Sequence, residues 1–296
     1  MADERRIVVL GQAGGWHERA LREAAAACGI EALCLPISRL LATTGGARDA
    51  FGVSTNDGFV PLRPDDRVLV RAVPGGSLEQ VAYRMDALHA LRDWGCRVVN
   101  GAETIERSVD KFHASFLIRN AGLPTPRTCV AERFDDAMER FAALGGDIVL
   151  KPLFGSEGKG ILRIDNEDLA YRTFRALEVA RSVYYMQEFL PARGWDLRVF
   201  VLAGRVLGCI RRAATGWKTN VSQGALPEAY PLTEEIASLA LRTAEAFAAD
   251  YCGVDLYPTD AGFSVIEING IPGWRGLERA TGIPVAKEIV TWLDSI

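Results

Sequence analysis

Short apolar runs alternate with helically spaced apolar positions through the first hundred residues. The runs predict strands at Ile7–Leu10, Glu31–Leu35, Val68–Arg71 and Val98–Val99. The spaced positions predict helices at Glu18–Cys28 and Leu78–Trp94. Strands separated by helices are typical of a parallel sheet with right-handed crossovers. Residues 45–64 break the pattern with Gly, Asp and Asn, which predicts a short hairpin or an irregular loop.

The pattern changes after Ser108, where strands and helices no longer alternate one for one. Helices are predicted at Lys111–Asn120, Asp135–Ala143, Glu167–Ala180 and Thr233–Asp250, with a closing helix after Pro284. Strands are predicted at Arg127–Val130, Asp147–Lys151, Gly160–Ile164, Tyr184–Glu188, Asp196–Ala203, Val206–Arg212, Cys252–Tyr257 and Phe263–Ile268. A polar loop is predicted at Ala213–Pro231. No internal repeat accompanies these elements.

Composition and charge exclude several classes of protein. The 296 residues are 49% hydrophobic and 24% charged, which is a globular rather than a disordered mix. The formal net charge of −4 supplies no bulk attraction to nucleic acid or to anionic membrane. No apolar run approaches the roughly 18 residues of a membrane span, and the six cysteines and three histidines show no metal-ligand spacing. We therefore expect a cytoplasmic protein with neither nucleic-acid nor membrane partners.

The glycines after the first strand do not form a dinucleotide-binding motif. The segment Gly11-Gln-Ala-Gly-Gly15 is not G-x-G-x-x-G, and the second strand ends in Leu35-Pro-Ile37 instead of an acid that would hold a ribose. We interpret this segment as a structural turn.

A lysine followed by a glycine-rich loop is the strongest local motif. Lys151 ends a predicted buried strand, and the loop continues Pro-Leu-Phe-Gly155-Ser-Glu-Gly158-Lys-Gly160. Glycines let backbone N–H groups approach phosphate oxygens, and the lysine adds a positive charge. The alternative is an ordinary tight turn, because the G-K-[ST] of a Walker A motif is absent.

Acidic residues interrupt two strongly apolar strands near the C-terminus. Glu267 and Asn269 share one face of their strand because side chains alternate, and Asp255 joins them if the two strands pair antiparallel. Two carboxylates and an amide oxygen suit Mg²⁺. The alternative is an acid paired with a buried arginine.

A cationic set lies near these acids in the sequence. Arg198 shares a strand with Asp196, and Arg211 and Arg212 end the next strand on opposite faces. Arginine grips carboxylate and phosphate bidentately. For each residue taken singly, a surface ion pair is the alternative.

Taken together, these residues resemble the ATP-grasp ligases, and among them the RimK-type amino-acid ligases, over nearly the whole chain. The resemblance rests on an ordered series of motifs: Ser108-Val-Asp-Lys111, Val149-Leu-Lys151-Pro, Gly155-Ser-Glu-Gly158, Gln187-Glu-Phe-Leu190, Asp196-Leu-Arg198, Arg211-Arg212, Lys218-Thr-Asn220, Val254-Asp-Leu256 and Glu267-Ile-Asn-Gly-Ile-Pro-Gly273. It implies an α/β chain with an ATP-grasp fold, in which two α+β subdomains grip ATP, preceded by a Rossmann-like parallel-sheet domain. We expect domains at 1–105, 106–190 and 191–296.

The resemblance also implies a role for each residue. Phosphate contacts fall to Lys111 and Lys151 under a lid that includes Gly155, Ser156 and Gly158. Gln187 and Leu190 flank Glu188 and Phe189, which bind adenine through backbone groups. Asp196 holds the nucleotide near its ribose, and Lys218 and Asn220 lie at its phosphate end. Asp255, Glu267 and Asn269 hold two Mg²⁺, with Mn²⁺ as an alternative. Arg212, with Arg198 and Arg211, stabilises an acyl phosphate, and Arg71 is a candidate on the substrate side.

The implied activity is ATP-dependent joining of a carboxylate to an amine. Asn220-Val-Ser-Gln223 replaces the R-G-G triplet common in the family, and Lys218 stands where Arg is usual, so the substrate stays open. Trp274-Arg275 is expected near the mouth of the site. We favour a glutamate-like amino acid joined to a coenzyme of tetrahydromethanopterin or deazaflavin type. The alternatives are modification of a protein or carrier-protein terminus, a non-catalytic ATP-binding regulator and a small-molecule kinase. A homodimer or homotetramer is expected.

Overall fold

The computed structural model describes residues 6–12, 14–45, 50–155, 160–191, 193–213 and 226–296. The N-terminal third contains β1 (Arg6–Gly11), α1 (Trp16–Ala27), β2 (Glu31–Pro36), β3 (Leu40–Thr43), β4 (Ala50–Thr55), β5 (Gly58–Pro61), β6 (Arg67–Val70), α2 (Leu78–Trp94) and β7 (Arg97–Val99). A parallel sheet takes the order β2-β1-β6-β7, as predicted. Both β1 and β6 are buried along their whole length, because helices and the rest of the chain cover both faces of a parallel sheet.

A small antiparallel sheet, β3-β4-β5, branches from this domain. The β4–β5 hairpin turns at Asn56-Asp57-Gly58, where Gly58 has a positive φ of 125°. The prediction of a hairpin within residues 45–64 is therefore confirmed. Strand β3 was missed because three of its four residues, Leu41, Ala42 and Thr43, are exposed.

The central third forms an antiparallel sheet backed by two helices. Its elements are α3 (Ala102–Val109), α4 (Lys111–Asn120), β8 (Thr128–Ala131), α5 (Phe134–Ala143), β9 (Ile148–Lys151), β10 (Leu162–Ile164), α6 (Glu167–Val179) and β11 (Tyr184–Glu188). The strand order is β10-β9-β11-β8. Phe134, Phe141 and Phe174 from α5 and α6 pack on buried residues of the sheet, which leaves its other face free to form one wall of a cleft.

The last third is built on a larger antiparallel sheet in the order β14-β13-β12-β15-β16. Its elements are β12 (Trp195–Leu202), β13 (Arg205–Ala213), β14 (Leu226–Ala229), α7 (Glu234–Ala246), β15 (Tyr251–Thr259), β16 (Gly262–Asn269), α8 (Arg275–Thr281) and α9 (Val285–Ser295). The predicted antiparallel pairing of the two C-terminal strands is confirmed, with Asp255 opposite Glu267.

The two faces of the C-terminal sheet bury different partners. One face packs Leu197 and Val199 against α4 and α7. The other face packs Phe200 and Leu202 against α1, α9 and residues of the N-terminal sheet. Near the ends of the strands this second face is left uncovered by the N-terminal domain, and the polar residues of the sheet lie there. None of the helices that the structure describes is long and apolar enough to cross a bilayer.

Two predicted boundaries were wrong. The helix predicted at Thr233–Asp250 ends at Ala246, because Ala248 adopts a positive φ of 49° and Ala249 N–H turns back to donate to the carbonyl of Ala244. The loop predicted at Ala213–Pro231 contains β14, which pairs with β13. Isolated apolar residues among prolines gave no alternating pattern that would have revealed this edge strand.

Candidate functional site

A cleft lies between the central sheet and the C-terminal sheet. Nine of the predicted site residues line it: Lys151, Gln187, Glu188, Phe189, Leu190, Asp196, Arg212, Asp255 and Glu267. Apolar neighbours complete the lining: Pro126, Val149, Ile161, Tyr257 and Ile266. An apolar cavity with a few convergent charged groups is the usual form of a small-molecule site.

The central wall presents lysine ammonium groups held by neutral oxygens. Lys151, at the end of β9, donates to Gln187 Oε1 at 2.6 Å, and Gln187 donates in turn to Thr128 Oγ1 at 3.2 Å. Lys111, at the start of α4, donates to the carbonyl of Gly155 at 2.8 Å. Burial lowers the pKa of Lys151 to about 8, with Lys111 adding repulsion and Glu267 opposing the shift. Neither Lys111 nor Lys151 forms an ion pair with a carboxylate among the described residues.

The hinge from β11 onward is fixed by its own hydrogen bonds. The N–H groups of Glu188 and Phe189 donate to the carbonyls of Arg127 and Asp147, at 2.9 and 3.0 Å. The predicted adenine contact through backbone groups of Glu188 and Phe189 therefore has to use their carbonyls, because their N–H groups are taken. The exocyclic amine of adenine is a donor and suits a carbonyl.

The side chains of Glu188 and Phe189 in the hinge each contact an arginine. The Glu188 carboxylate accepts from the N–H and Nε of Arg127 at 2.8 and 2.6 Å. The Arg163 guanidinium lies 3.7 Å from the centre of the Phe189 ring and forms an ion pair with Asp147. This arrangement stiffens the hinge that joins the two walls.

The C-terminal wall carries a row of ion pairs across three strands. Arg212 on β13 opposes Asp196 on β12, and Arg198 on β12 opposes Asp255 on β15. Arg212 donates to both oxygens of Asp196 at 2.6 Å and lies 3.1 Å from Asp255 Oδ2. Arg198 donates to both oxygens of Asp255 at 2.7 Å. Asp196, predicted near the ribose, is thus engaged by Arg212.

Asp255 and Glu267 face each other, but their pKa values are shifted in opposite directions. Burial opposes ionisation of Asp255, yet Arg198 and Arg212 outweigh it and hold the pKa of Asp255 below its ordinary value. Burial and the Asp255 charge raise the pKa of Glu267, although Lys151, Arg198 and Lys111 partly oppose the shift. No hydrogen bond joins the Glu267 carboxylate to any residue that the structure describes, so Glu267 is the acid ready to accept a ligand.

The residues present fit a magnesium ion. In the described part of the chain, no three His, Cys, Asp or Glu side chains gather into a metal-binding group, so the predicted set depends on an amide as its third member. That amide, Asn269, would coordinate through its oxygen, and its Nδ2 is buried with no hydrogen-bond partner among the described residues. An oxygen-only donor set with an under-used carboxylate suits Mg²⁺. The arginine pairing of Asp255, the alternative considered for this acid, is also present.

Several predicted residues do not join the cleft. Arg211 points to the opposite face of the sheet, where its guanidinium lies 5.1 Å from the Trp195 ring and its Nε is buried with no hydrogen-bond partner in the described part of the chain. Gly155, the first residue of the expected lid, accepts a hydrogen bond from Lys111 but does not line the cleft. The remaining predictions, Ser156, Gly158, Lys218 and Asn220, lie outside the described residues.

A β-bulge adds a lining residue that alternation could not predict. Asp255 pairs with Glu267, whereas the next residue, Leu256, pairs with Val265, so Ile266 is the extra residue. Such an insertion lets neighbours reach the same face, and both Ile266 and Glu267 line the cleft. Tyr257, two residues beyond Asp255 on the same face, could have been found from alternation alone.

The expected position of Trp274 at the mouth of the site was wrong. Its side chain is fully buried and packs edge-on against Phe200, because the N-terminal domain covers it. Arg71 lies 4.4 Å above the Trp274 ring and donates to the Tyr251 hydroxyl and to the carbonyl of Pro272. The N-terminal domain thereby contacts the turn that follows β16.

Comparison with known proteins identifies the class. The model of the RimK-like ATP-grasp domain matches residues 108–293. The tetrahydromethanopterin:alpha-L-glutamate ligase of Methanosarcina acetivorans is 32% identical, with 81% of this chain and 83% of that protein covered. A probable alpha-L-glutamate ligase of Legionella pneumophila (strain Corby) is 31% identical over 80% of this chain and 78% of that protein.

Solved structures share the fold. The ATP-grasp ligase PsnB complexed with minimal precursor superposes with a TM-score of 0.77 at 20% identity, covering 99% of both chains. The same ligase complexed with minimal precursor, Mg and ADP has a TM-score of 0.73 at 21% identity, covering 98% of this chain and 97% of that one. The chain belongs to the RimK-like ATP-grasp family. It is a ligase that forms C–N bonds, in a family that binds ATP with Mg²⁺.

Proposed function

We propose that this ligase joins a glutamate-like amino acid to a small coenzyme or metabolite of tetrahydromethanopterin or deazaflavin type, releasing ADP and phosphate. The observation that carries the proposal is the cleft in which Lys151 and Glu267, on opposite walls, flank one cavity. The names of the Methanosarcina and Legionella relatives support glutamate as the amino acid and, in the first case, a pterin as the acceptor.

The chemistry that suits this cleft proceeds through an acyl phosphate. A carboxylate oxygen of one substrate attacks the γ-phosphorus of ATP, the bond to the bridging oxygen breaks, and ADP leaves. The amine of the second substrate then attacks the acyl carbon, forms the C–N bond, loses a proton and expels phosphate. Because little covalent work falls to the protein, positioning and charge neutralisation account for most of the acceleration.

Each wall would contribute a separate part of that work. Lys111 and Lys151 would bind phosphate oxygens, and the hinge carbonyls with Leu190 would hold the base. Arg212 would stabilise the oxyanion of the tetrahedral intermediate. Asp255, Glu267 and Asn269 would hold two Mg²⁺, which neutralise phosphate charge when bound. We retain domain boundaries at residues 105 and 190 as part of this proposal, although α4, assigned to the central domain, packs on the C-terminal core.

An ADP-release screen tests the proposal. Amino acids are crossed with pterin, furan and deazaflavin acceptors, and products are identified by mass spectrometry. We expect ADP release that depends on both an amino acid and an acceptor, with glutamate the best amino acid and an acceptor enlarged by one amide-linked residue. Release that requires a protein or carrier-protein terminus would overturn the small-molecule acceptor.

Two further outcomes would overturn the reaction type. ATP binding without turnover for any pair would indicate a regulatory protein. A stable phosphorylated product formed without consumption of the amine would indicate a kinase.

A further inference from the structure

Asp255 is paired with two arginines, Arg198 and Arg212. Both of its oxygens accept hydrogen bonds from Arg198 at 2.7 Å, and Oδ2 also lies 3.1 Å from the guanidinium of Arg212. Its cross-strand neighbour Glu267 has no such donor among the described residues. A divalent cation that used both carboxylates would therefore compete with a guanidinium for the oxygens of Asp255.

Arg198 is the arginine that can leave. Arg212 is clamped by Asp196 through two bonds of 2.6 Å, and its side chain is only 4% exposed. Arg198 is 22% exposed, and Asp255 is its hydrogen-bond partner within the described ranges. Displacing Arg198 breaks one ion pair and leaves the Arg212 clamp whole, whereas displacing Arg212 would break its two bonds to the buried Asp196 as well as its contact with Asp255.

Arg198 also lies near the part of the C-terminal sheet that the N-terminal domain contacts. It does not line the nucleotide cleft, and its Cδ and Nε lie 3.5 and 3.6 Å from where a Cβ on Gly253 would be. A Cβ on Gly253 would also lie 3.2 Å from the Cβ of Pro272. The Pro272 carbonyl accepts a hydrogen bond from Arg71 of the N-terminal domain. The guanidinium of Arg198 thus lies between the metal-binding acids and the side of the site that faces the N-terminal domain.

We propose that Arg198 exchanges partners during the reaction cycle. In the unloaded enzyme it pairs with Asp255, and once a divalent cation occupies Asp255 and Glu267 it is released to pair with the carboxylate of the incoming substrate. This inference rests on the proposed function. It makes the binding of metal nucleotide and of the carboxylate substrate mutually favourable, since the cation removes the competitor for the substrate's partner.

Metal affinity is the first test. Binding of Mn²⁺ with ADP is titrated by electron paramagnetic resonance of free Mn²⁺ in the wild type, Arg198→Gln and Arg198→Lys. The control Arg205→Gln removes an arginine that pairs with Glu288 at the far end of the same hairpin. We expect Arg198→Gln to bind about tenfold more tightly than the wild type, the scale of a close charge pair, and the control to match the wild type.

Arg198→Lys separates the ion pair from the charge alone. Lysine keeps the positive charge but cannot form the two-pronged contact, so partner exchange predicts an affinity between those of the wild type and Arg198→Gln. If Arg198→Lys bound Mn²⁺ with the affinity of the wild type, the positive charge alone would account for the weakened metal binding, and the proposal would be overturned. Equal or weaker binding by Arg198→Gln would overturn it as well.

A direct readout uses the wild type without any substitution. The ¹⁵N-resolved Nε–H signal of Arg198, assigned by its absence in Arg198→Lys, should shift on addition of Mg²⁺ with ADP and stay in place with ADP alone. An unchanged signal at saturation would overturn the exchange. Neither measurement needs a substrate, so the exchange can fail while the ligase reaction stands, and the reaction screen can fail while the exchange stands.

Discussion

The two walls of the cleft hold their cations in different ways. On the central wall, Lys151 is held by the neutral amide of Gln187, and burial lowers its pKa to about 8. On the C-terminal wall, burial would lower the pKa of Arg212 as well, but Asp255 and Asp196 outweigh it and raise that pKa. One wall therefore keeps a charge without a counter-charge, ready for phosphate, and the other stores its charges in ion pairs that stabilise the fold.

Removing one cation from each wall should give the largest difference in the free energy of unfolding. Arg212→Met removes the guanidinium that forms two hydrogen bonds with the buried Asp196, so we expect a loss of about 3–5 kcal/mol in the free energy of unfolding. Lys151→Met removes a costly buried charge but leaves Gln187 Oε1 unpaired, so we expect a change of less than about 1 kcal/mol. Urea unfolding at a constant m-value measures both.

Equal losses of unfolding free energy in Arg212→Met and Lys151→Met would contradict the proposed difference between the two walls. Arg205→Met serves as the control for deleting an arginine from an exposed ion pair on the same sheet, and it should cost no more than about 1 kcal/mol.

The low pKa of Lys151 predicts a pH dependence of opposite sign to that of an ion-paired lysine. Because the folded pKa is about 8 and the ordinary value is 10.5, the unfolded chain binds more protons between these values. Stability should therefore rise with pH across this window, and that rise should vanish in Lys151→Met. Unfolding free energies measured at intervals from pH 7.5 to 10.5 check it.

The same titration should appear in function. The value of kcat/KM for ATP should fall as pH rises above about 8, because Lys151 loses its charge in the free enzyme. Lys151→Arg should move this decline to higher pH. A decline at the same pH in Lys151→Arg would assign the titration to another group.

The smallest effect on ligand binding is expected far from either wall. Ser77 caps α2 in a capping box with Gln80, so Ser77→Ala should cost about 1 kcal/mol of stability. Binding of Mg²⁺ with ADP, followed by calorimetry, should not change. A change in the binding of Mg²⁺ with ADP would mean that binding depends on residues far from the two walls of the cleft.

Strand and helix periodicity predicted most elements of this chain, because their apolar faces are continuous. The helices Leu78–Trp94 and Lys111–Asn120 have the predicted bounds, and the strand Tyr184–Glu188 does as well. The facing of Asp255 and Glu267 followed from alternation and antiparallel pairing. The helices Ala102–Val109 and Arg275–Thr281 were missed, since 8 and 7 residues are too few to show a helical spacing clearly.

Features that depend on three-dimensional pairing were beyond the sequence. Nothing local to Arg198 says that it grips Asp255, a residue 57 positions away. The bulge at Ile266 depends on the register of two strands. The burial of Trp274 depends on the N-terminal domain closing over it. In each case the same residues could contact different partners in another fold, so the sequence alone does not identify the contact.

The most direct test of the account measures how Mg²⁺ affects ADP binding in the wild type and in Glu267→Gln, with Glu132→Gln, an exposed glutamate, as control. Mg²⁺ should strengthen ADP binding to the wild type and the control, and should add less than about a tenth of that effect in Glu267→Gln. The melting temperature of Glu267→Gln should not fall, because the removed carboxylate is buried beside Asp255. An undiminished effect of Mg²⁺ in Glu267→Gln would contradict the central claim that this acid binds the metal nucleotide.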